Sequence, residues 1–176
     1  MPSIYDSIGT SVQSVLTKSL TRIGYTTPLV IFKNQNAPEP AQTYCAIHIL
    51  RASARGKPSK SVFLTDVAGN PNVGRHYTQQ HYDVLIQVTF VGKDSGDMAF
   101  DFKQDLAVSQ LTNEDFQREN FGIISHTDIR SNPSLRETRW VDSFNLDLEL
   151  SYSVQTTEDL LWAEYITVNG VQIPST

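Results

Sequence analysis

Residues 144–154 read FNLDLELSYSV, and residues 82–90 read YDVLIQVTF. Apolar and polar residues alternate throughout the first stretch, and the second departs from alternation only at Leu85. Because side chains on a strand point to opposite faces with a period of two, each stretch predicts a strand with one buried and one wet face. Counted from Trp140, the first strand has about 15 residues, where ordinary strands have about 5–6. Such a long half-polar strand favours a structural or assembly protein.

The segments around these strands predict the rest of the fold. Residues 3–23 place apolar side chains at helical spacing, with Ser3 and Asp6 set for a capping box and Gly24 as a stop. Further strands are predicted at 28–32, 43–50, 76–91 and 121–129, and further helices near Ser95 and from Thr112. This order predicts an α+β fold: a mainly antiparallel sheet with an N-terminal amphipathic helix and one or two further helices packed on one face.

The length of 176 residues predicts a single domain, residues 1–176. Two segments stand apart within it. Residues 51–75 contain prolines and glycines and predict a long basic loop. Residues 164–174 predict a C-terminal hairpin, because Asn169-Gly170 suits the two positive-φ positions of a type I′ turn.

The predicted loop differs in charge from the rest of the chain. It holds five basic residues and one acid, whereas the remainder holds nine basic and eighteen acidic residues. A solvated basic loop is one interpretation, and a loop that docks on a partner or neighbouring subunit is the other. The predicted interface residues are Arg55, Lys57, Lys60, Val62, Phe63 and Leu64. A third interpretation makes residues 62–64 a short strand of the subunit's own sheet.

Motifs for catalysis, cofactors and metals are missing from the sequence. Gly56-Lys57 is followed by Pro58, so it is not a phosphate-binding P-loop. His76 and His81 would face opposite sides of a strand, and the single cysteine, Cys45, allows no intrachain disulfide and is expected to be buried. We therefore predict no catalytic, cofactor or metal site. No apolar run reaches the ~18 residues of a membrane helix, and the N-terminus does not resemble a signal peptide, so a cytoplasmic protein is expected.

Three segments, taken in order, resemble bacteriophage neck or tail-terminator (tail completion) proteins. The first is Gln35-Asn36, Pro38-Glu39-Pro40 and Tyr44; the second is residues 82–92 followed by Asp97, Ala99 and Leu106; the third is Arg136, Arg139, Trp140, residues 144–148 and Tyr152. The resemblance covers most of residues 4–170. The basic loop and the hairpin after Tyr165 depart from the pattern of the family.

The resemblance implies a non-enzymatic virion protein that forms a homo-oligomeric ring, usually hexameric, at the head–tail neck. Such a ring terminates or completes the tail and leaves a channel for DNA, which passes without specific binding. The implied partners are portal or adaptor (head completion) proteins on one side and tail tube or tail proteins on the other. The implied location is the virion, with assembly in the host cytoplasm and no membrane contact.

An acidic channel would repel DNA phosphates and let the DNA slide. Six copies with a net charge of −5 each would carry about −30. Asp147 and Glu149, on the polar parity of the long strand, are the predicted channel-lining residues. A carboxylate pair for acid–base chemistry and an ordinary solvated face are the alternatives for these two acids. For the whole chain, the alternatives are a head–tail connector, a tail tube protein, or a small enzyme or ligand-binding module.

Overall fold

The computed structural model describes residues 3–33, 39–64, 73–136, 139–161, 165–168 and 171–174. Its helices are α1 (Ile4–Arg22), α2 (Ser95–Val108) and α3 (Gln110–Arg118). Its strands are β1 (Leu29–Phe32), β2 (Tyr44–Leu64), β3 (Val73–Val91), β4 (Phe121–His126), β5 (Arg130–Ser131), β6 (Ser134–Arg136), β7 (Arg139–Val141), β8 (Ser143–Leu161), β9 (Tyr165–Val168) and β10 (Val171–Pro174). The predicted α+β class with a mainly antiparallel sheet is confirmed.

The long alternating strand occupies an inner position of the main sheet, whose strand order is β1-β2-β3-β8-β4. The short strand β5 also pairs with β8 but is not part of this strand order. β1 runs parallel to β2, with Leu29 opposite Tyr44, whereas β4 runs antiparallel to β8, with Phe121 opposite Tyr152. β8 is therefore paired with β3 and with β4, and these neighbours limit where its side chains can go.

The N-terminal helix begins as the sequence predicts. The Ser3 hydroxyl accepts the Asp6 N–H at 3.2 Å, and the Ser3 N–H donates to Asp6 Oδ2 at 3.3 Å, which completes a capping box. Two of the donors that a helix start leaves unpaired are satisfied in this way. The helix ends before Gly24, whose φ of +106° suits a residue without a Cβ.

The chain divides into two compact units, and the first consists of Met1–Ser53 with Tyr82–Tyr152. In this unit the helices cover one face of the sheet. One core cluster joins the apolar sides of the three helices to the alternate positions of β3 and β8: Ile8, Val12, Val15, Leu16, Leu20, Met98, Ala99, Phe102, Leu106, Phe116, Val84, Ile86, Val88, Phe90, Leu146, Leu148 and Leu150. The predicted packing of the helices on one face of the sheet is confirmed. Val91 lies on the opposite face of β3 and belongs to a separate cluster.

The second unit consists of Ala54–His81 with Ser153–Thr176. It contains the parts of β2, β3 and β8 that fall in those ranges, and Gln79 Nε2 donates to Ser153 Oγ at 2.8 Å within it. Strands β9 and β10 pair antiparallel, with Val168 opposite Val171, where the sequence predicts the C-terminal hairpin. Its turn residues, Asn169 and Gly170, lie outside the described residues. The single domain stays a prediction.

The predicted loop at 51–75 needs a correction, because most of it is strand. β2 continues through residues 51–64, and β3 begins at Val73. Gly56, with a φ of +68°, and Pro58 lie inside β2, so local turn signals were overridden by pairing in the sheet. Two smaller predictions also differ: α3 begins at Gln110, with Ser109 rather than Thr112 at its start, and β4 ends at His126.

A polar network ties α1, α2 and α3 together beside the apolar core. The buried Thr112 hydroxyl donates to Asp105 Oδ2 at 2.5 Å and accepts from Arg22 Nη1 at 2.6 Å. Ser19 donates to the same Asp105 oxygen at 2.5 Å, and Arg22 also forms an ion pair with the buried Asp115. Since buried charges are tolerated only when they are paired and hydrogen-bonded, these five residues stabilise the helix layer as a group.

Replacing Thr112 with Val should destabilise the protein by roughly 2–3 kcal/mol, because it keeps the side-chain shape but removes hydrogen bonds to two charged groups. Chemical unfolding followed by circular dichroism measures the change. Thr21→Val is the matched control in α1: Thr21 is exposed and its hydroxyl donates to the Thr17 carbonyl of the same helix, so the substitution should cost no more than about 0.5 kcal/mol. Equal losses from the two substitutions would contradict the network.

Replacing Gly92 with Ala should destabilise the protein by about 3–5 kcal/mol. Gly92 follows β3 with a φ of +123°, and a Cβ there would lie 2.8 Å from the Cα and 2.6 Å from Oγ1 of Thr43. Gly24→Ala is the control, since Gly24 also has a positive φ but has nothing within 4 Å of the new Cβ. It should cost about 1–2 kcal/mol. Urea unfolding compares the two, and similar losses would show that close approach to Thr43 does not matter.

Candidate assembly surfaces

The predicted basic interface residues lie on strand β2. Arg55, Lys57 and Lys60 are all exposed. The neighbouring strand β3 contacts the backbone of β2 here, because Gln80 Nε2 on β3 donates to the Arg55 carbonyl at 3.3 Å. The backbone of residues 62–64 is also strand, as the third interpretation predicted, and the side chains there lie outside the described residues. The structure therefore presents the three basic side chains on a strand rather than on a loop.

The predicted channel-lining residue Asp147 lies in a hydrogen-bonded network. Its carboxylate pairs with Arg130 and accepts from Gln87 Nε2 at 3.2 Å, and its side chain is only 15% exposed. Its backbone exchanges two further bonds with Thr127, at 3.0 Å and 2.9 Å. The alternative of an ordinary solvated face is wrong for Asp147, because neighbouring strands and the 127–130 segment cover its carboxylate.

The second predicted channel residue, Glu149, is more accessible. Ser125 Oγ donates to its Oε2 at 3.0 Å, and Arg51 Nη2 lies 3.9 Å from its Oε1. A register shift in β4 after Ile123 sets Ser125 opposite Glu149, so Ile124 is the extra residue of the bulge. Arginines accompany both acids, and the two positive charges offset much of the negative field that the pair would produce alone.

An exposed apolar pair on the β6–β7 hairpin was missed as a site by the sequence analysis. Leu135 lies opposite Trp140 in the register, so the two side chains share one face, and they are 58% and 70% exposed. These strands have three residues each and show no periodicity that would mark a face. The only available signal was a tryptophan among arginines, Arg136 and Arg139, in the third segment of the resemblance.

A second exposed apolar surface runs along α2 to the start of α3. Phe100 is 61% exposed and Val108 is 78% exposed, and Leu111 follows them on the exposed side. The helical periodicity of α2 predicts which of its residues face the core. It says nothing of the exposed apolar residues on the opposite side, so these were not predicted as a surface. A shallow groove beside it is lined by Ile23, Asp101, Gln104, Asp105, Val108 and Ser109.

Acidic groups give the groove its electrostatic character. Tyr25 donates its hydroxyl to Asp101 Oδ2 at 2.9 Å, and partial burial together with this carboxylate raises the pKa of Tyr25 to about 12. Elsewhere on α2, Lys103 donates to Asp128 at 2.6 Å and lowers the pKa of that carboxyl. The one lysine of α2 is thus already engaged, whereas Asp97 on the same helix is exposed to solvent.

The described residues contain no group of three or more His, Cys, Asp or Glu side chains arranged for a metal ion. Cys45 is fully buried, and burial raises the pKa of its thiol far above the ordinary value. Among the described residues, His126 Nδ1 on β4 is buried without a hydrogen-bond partner. In the part of the chain that is described, no helix is long and apolar enough to cross a membrane.

Comparison with protein families gives one match that spans nearly the whole chain. Residues 5–175 match the family described as phage neck terminator protein. No curated protein matches the sequence. The match agrees with the predicted resemblance in its extent, and it implies a structural role in tail completion and a place in the virion. The chain therefore belongs to the phage neck terminator family.

Proposed function

We propose that this protein forms a closed ring, most simply a hexamer, at the head–tail neck, where it ends the tail and leaves a channel for DNA. The observation that carries the proposal is membership of the neck terminator family over residues 5–175. The surface adds support, because solvent-exposed apolar side chains lie together on the β6–β7 hairpin, at Leu135 and Trp140. Exposed apolar clusters commonly mark protein–protein contact.

The proposed ring contacts head completion proteins, such as a portal or adaptor, on one side and the tail tube or tail proteins on the other. It assembles in the host cytoplasm. Arg55, Lys57, Lys60, Val62, Phe63 and Leu64 form the proposed subunit or partner interface. Exposed lysines on β2 would steer an acidic partner toward this strand, an effect that weakens with salt.

Asp147 and Glu149 are the proposed channel-lining residues. Of the two, Glu149 can contribute more to a channel field, because Asp147 is largely covered and paired with Arg130. DNA would pass without specific binding, repelled by a ring whose six copies carry about −30 in total. The competing function is a tail tube protein or another connector, which would share an α+β subunit and a central channel.

Electron microscopy of the purified protein mixed with tail tubes tests the function. We expect one ring at one end of each tube, with no further subunits added above it. A tube protein would instead polymerise into stacked rings. A protein that stays monomeric in the intact neck would contradict the ring, and stacked rings would assign the chain to the tube class.

Charge reversal separates the two proposed surfaces. Changing Lys57 and Lys60 together to Glu should abolish incorporation into the neck, because it reverses two exposed charges at the proposed interface. Glu149→Lys should leave assembly intact and slow DNA ejection, since it adds a positive charge where phosphates pass. Incorporation is measured by immunoblotting of purified particles, and ejection by the rate of DNA release.

Each variant serves as the control for the other, since both change exposed or half-exposed charges. The melting temperature of each isolated chain should stay close to that of the wild type. Normal incorporation of the lysine variant would remove β2 from the interface. Unchanged ejection from particles that carry Glu149→Lys would remove Glu149 from the channel.

A further inference from the structure

Strand β2 is much longer than its neighbour β1. β1 pairs with β2 only from Tyr44 to Ile47, and the Lys33 N–H then donates to the Ile47 carbonyl at 2.8 Å. β2 continues to Leu64, and among the described strands only β3 pairs with that part. Residues 48–64 therefore form a sheet edge whose outward N–H and C=O groups have no partner strand in the described part of the chain. A bare edge of this kind is a template on which a further strand can pair.

The two outer strands of the main sheet, β1 and β4, are short or irregular. β1 has four residues. β4 has six, with a register shift between Ile123 and Ser125. Short strands and bulges are common ways in which proteins keep sheet edges from pairing with another molecule. The edge of β2 is long, so its length gives no such protection.

The backbone and side chains of the β2 edge carry other features that oppose pairing. Every residue from Ser53 to Ser61 is exposed. Gly56, with a φ of +68°, interrupts the extended backbone, and Pro58 has no N–H to donate to a partner strand. Residues 48–64 hold two arginines and two lysines and no acid. Two copies of this edge can therefore bring like charges together but can form no pair of opposite charges in any register.

Lys57 and Lys60 are the basic residues best placed to act on pairing. Both are exposed, and neither forms an ion pair with a residue that the structure describes. Arg51, in contrast, lies 3.9 Å from Glu149, which offsets its charge. In the antiparallel register that places Lys57 opposite Lys60 of a second copy, two-fold symmetry repeats the contact, so two like-charge pairs form. Like charges directly opposite each other in a sheet destabilise the pairing.

We propose that Lys57 and Lys60 prevent the open edges of two copies of β2 from pairing with each other, so that the free subunit does not self-associate through this strand. The two lysines act before assembly, whatever partner the strand meets afterwards. The inference goes beyond the proposed function and does not require the ring, because it concerns the isolated subunit.

Removal of the two charges tests the proposal. Isolated Lys57→Thr/Lys60→Thr should self-associate at least about 10-fold more tightly than the wild type in sedimentation, because threonine favours strands and no lysine then opposes pairing. Amide hydrogen exchange in residues 48–64 should slow in the associated variant, since edge N–H groups become bonded. The matched control is Lys18→Thr/Lys93→Thr, which removes two exposed positive charges outside β2 and should sediment like the wild type.

Mixing proteins with opposite charges on the edge gives a second measurement. Lys57→Glu/Lys60→Glu alone should not self-associate, because its edge again repels an identical edge. An equimolar mixture with the wild type should associate, since each lysine can then lie opposite a glutamate, and salt should weaken the association. The mixture of the wild type with Lys18→Glu/Lys93→Glu should not associate. Every variant should melt close to the wild type.

The outcomes separate this inference from the proposed function. Wild-type sedimentation of the threonine variant, equal association of its control, or a mixture that does not associate would overturn the role of the two lysines and leave the terminator role intact. Self-association of the wild type with slow exchange in residues 48–64 would also overturn it. A missing ring in the neck would instead contradict the proposed function and leave the role of the lysines standing.

Discussion

Burial of Leu146, Leu148 and Leu150 beneath the helices is the interaction on which the rest of the structure depends. These side chains have no exposed surface, and each stabilises the fold by about 1.5–3 kcal/mol relative to an exposed position. Their strand lies inside the sheet, between β3 and β4, so it fixes where both neighbours run. Because one face of β8 must meet the helices, its register is strongly specified, and a slip of one residue would bury acids instead.

The same period of two places Asp147 and Glu149 on the other face, and that face is only partly wet. A carboxylate that loses most of its water needs donors within the protein. Asp147 finds them in Arg130 and Gln87, and the β4 bulge brings Ser125 to Glu149. The short β5 strand and the bulge are therefore not incidental irregularities, because they supply donors to a charged face that the alternation of β8 creates.

Local signals predicted the parts of the fold that depend on local physics. The capping box at Ser3, the amphipathic α1 and the alternation of β8 each rest on residues close in sequence. The extension of β2 past residue 50 could not be predicted in this way, because Gly56 and Pro58 favour a turn locally, while pairing with distant β3 decides the outcome. Leu135 and Trp140 were missed as a surface for a related reason: strands of three residues have no periodicity, and only the register sets the two side chains opposite each other.

The distribution of exposed apolar side chains also bears on how such a subunit stays soluble before assembly. Leu135 and Trp140 form one small patch, and Phe100 and Val108 belong to another on the far side of the helix layer. Charged residues lie close to each patch in sequence, with both signs present around the hairpin and along α2. Two small, separated patches of this kind do not form the large continuous apolar area that commonly marks an aggregation-prone surface.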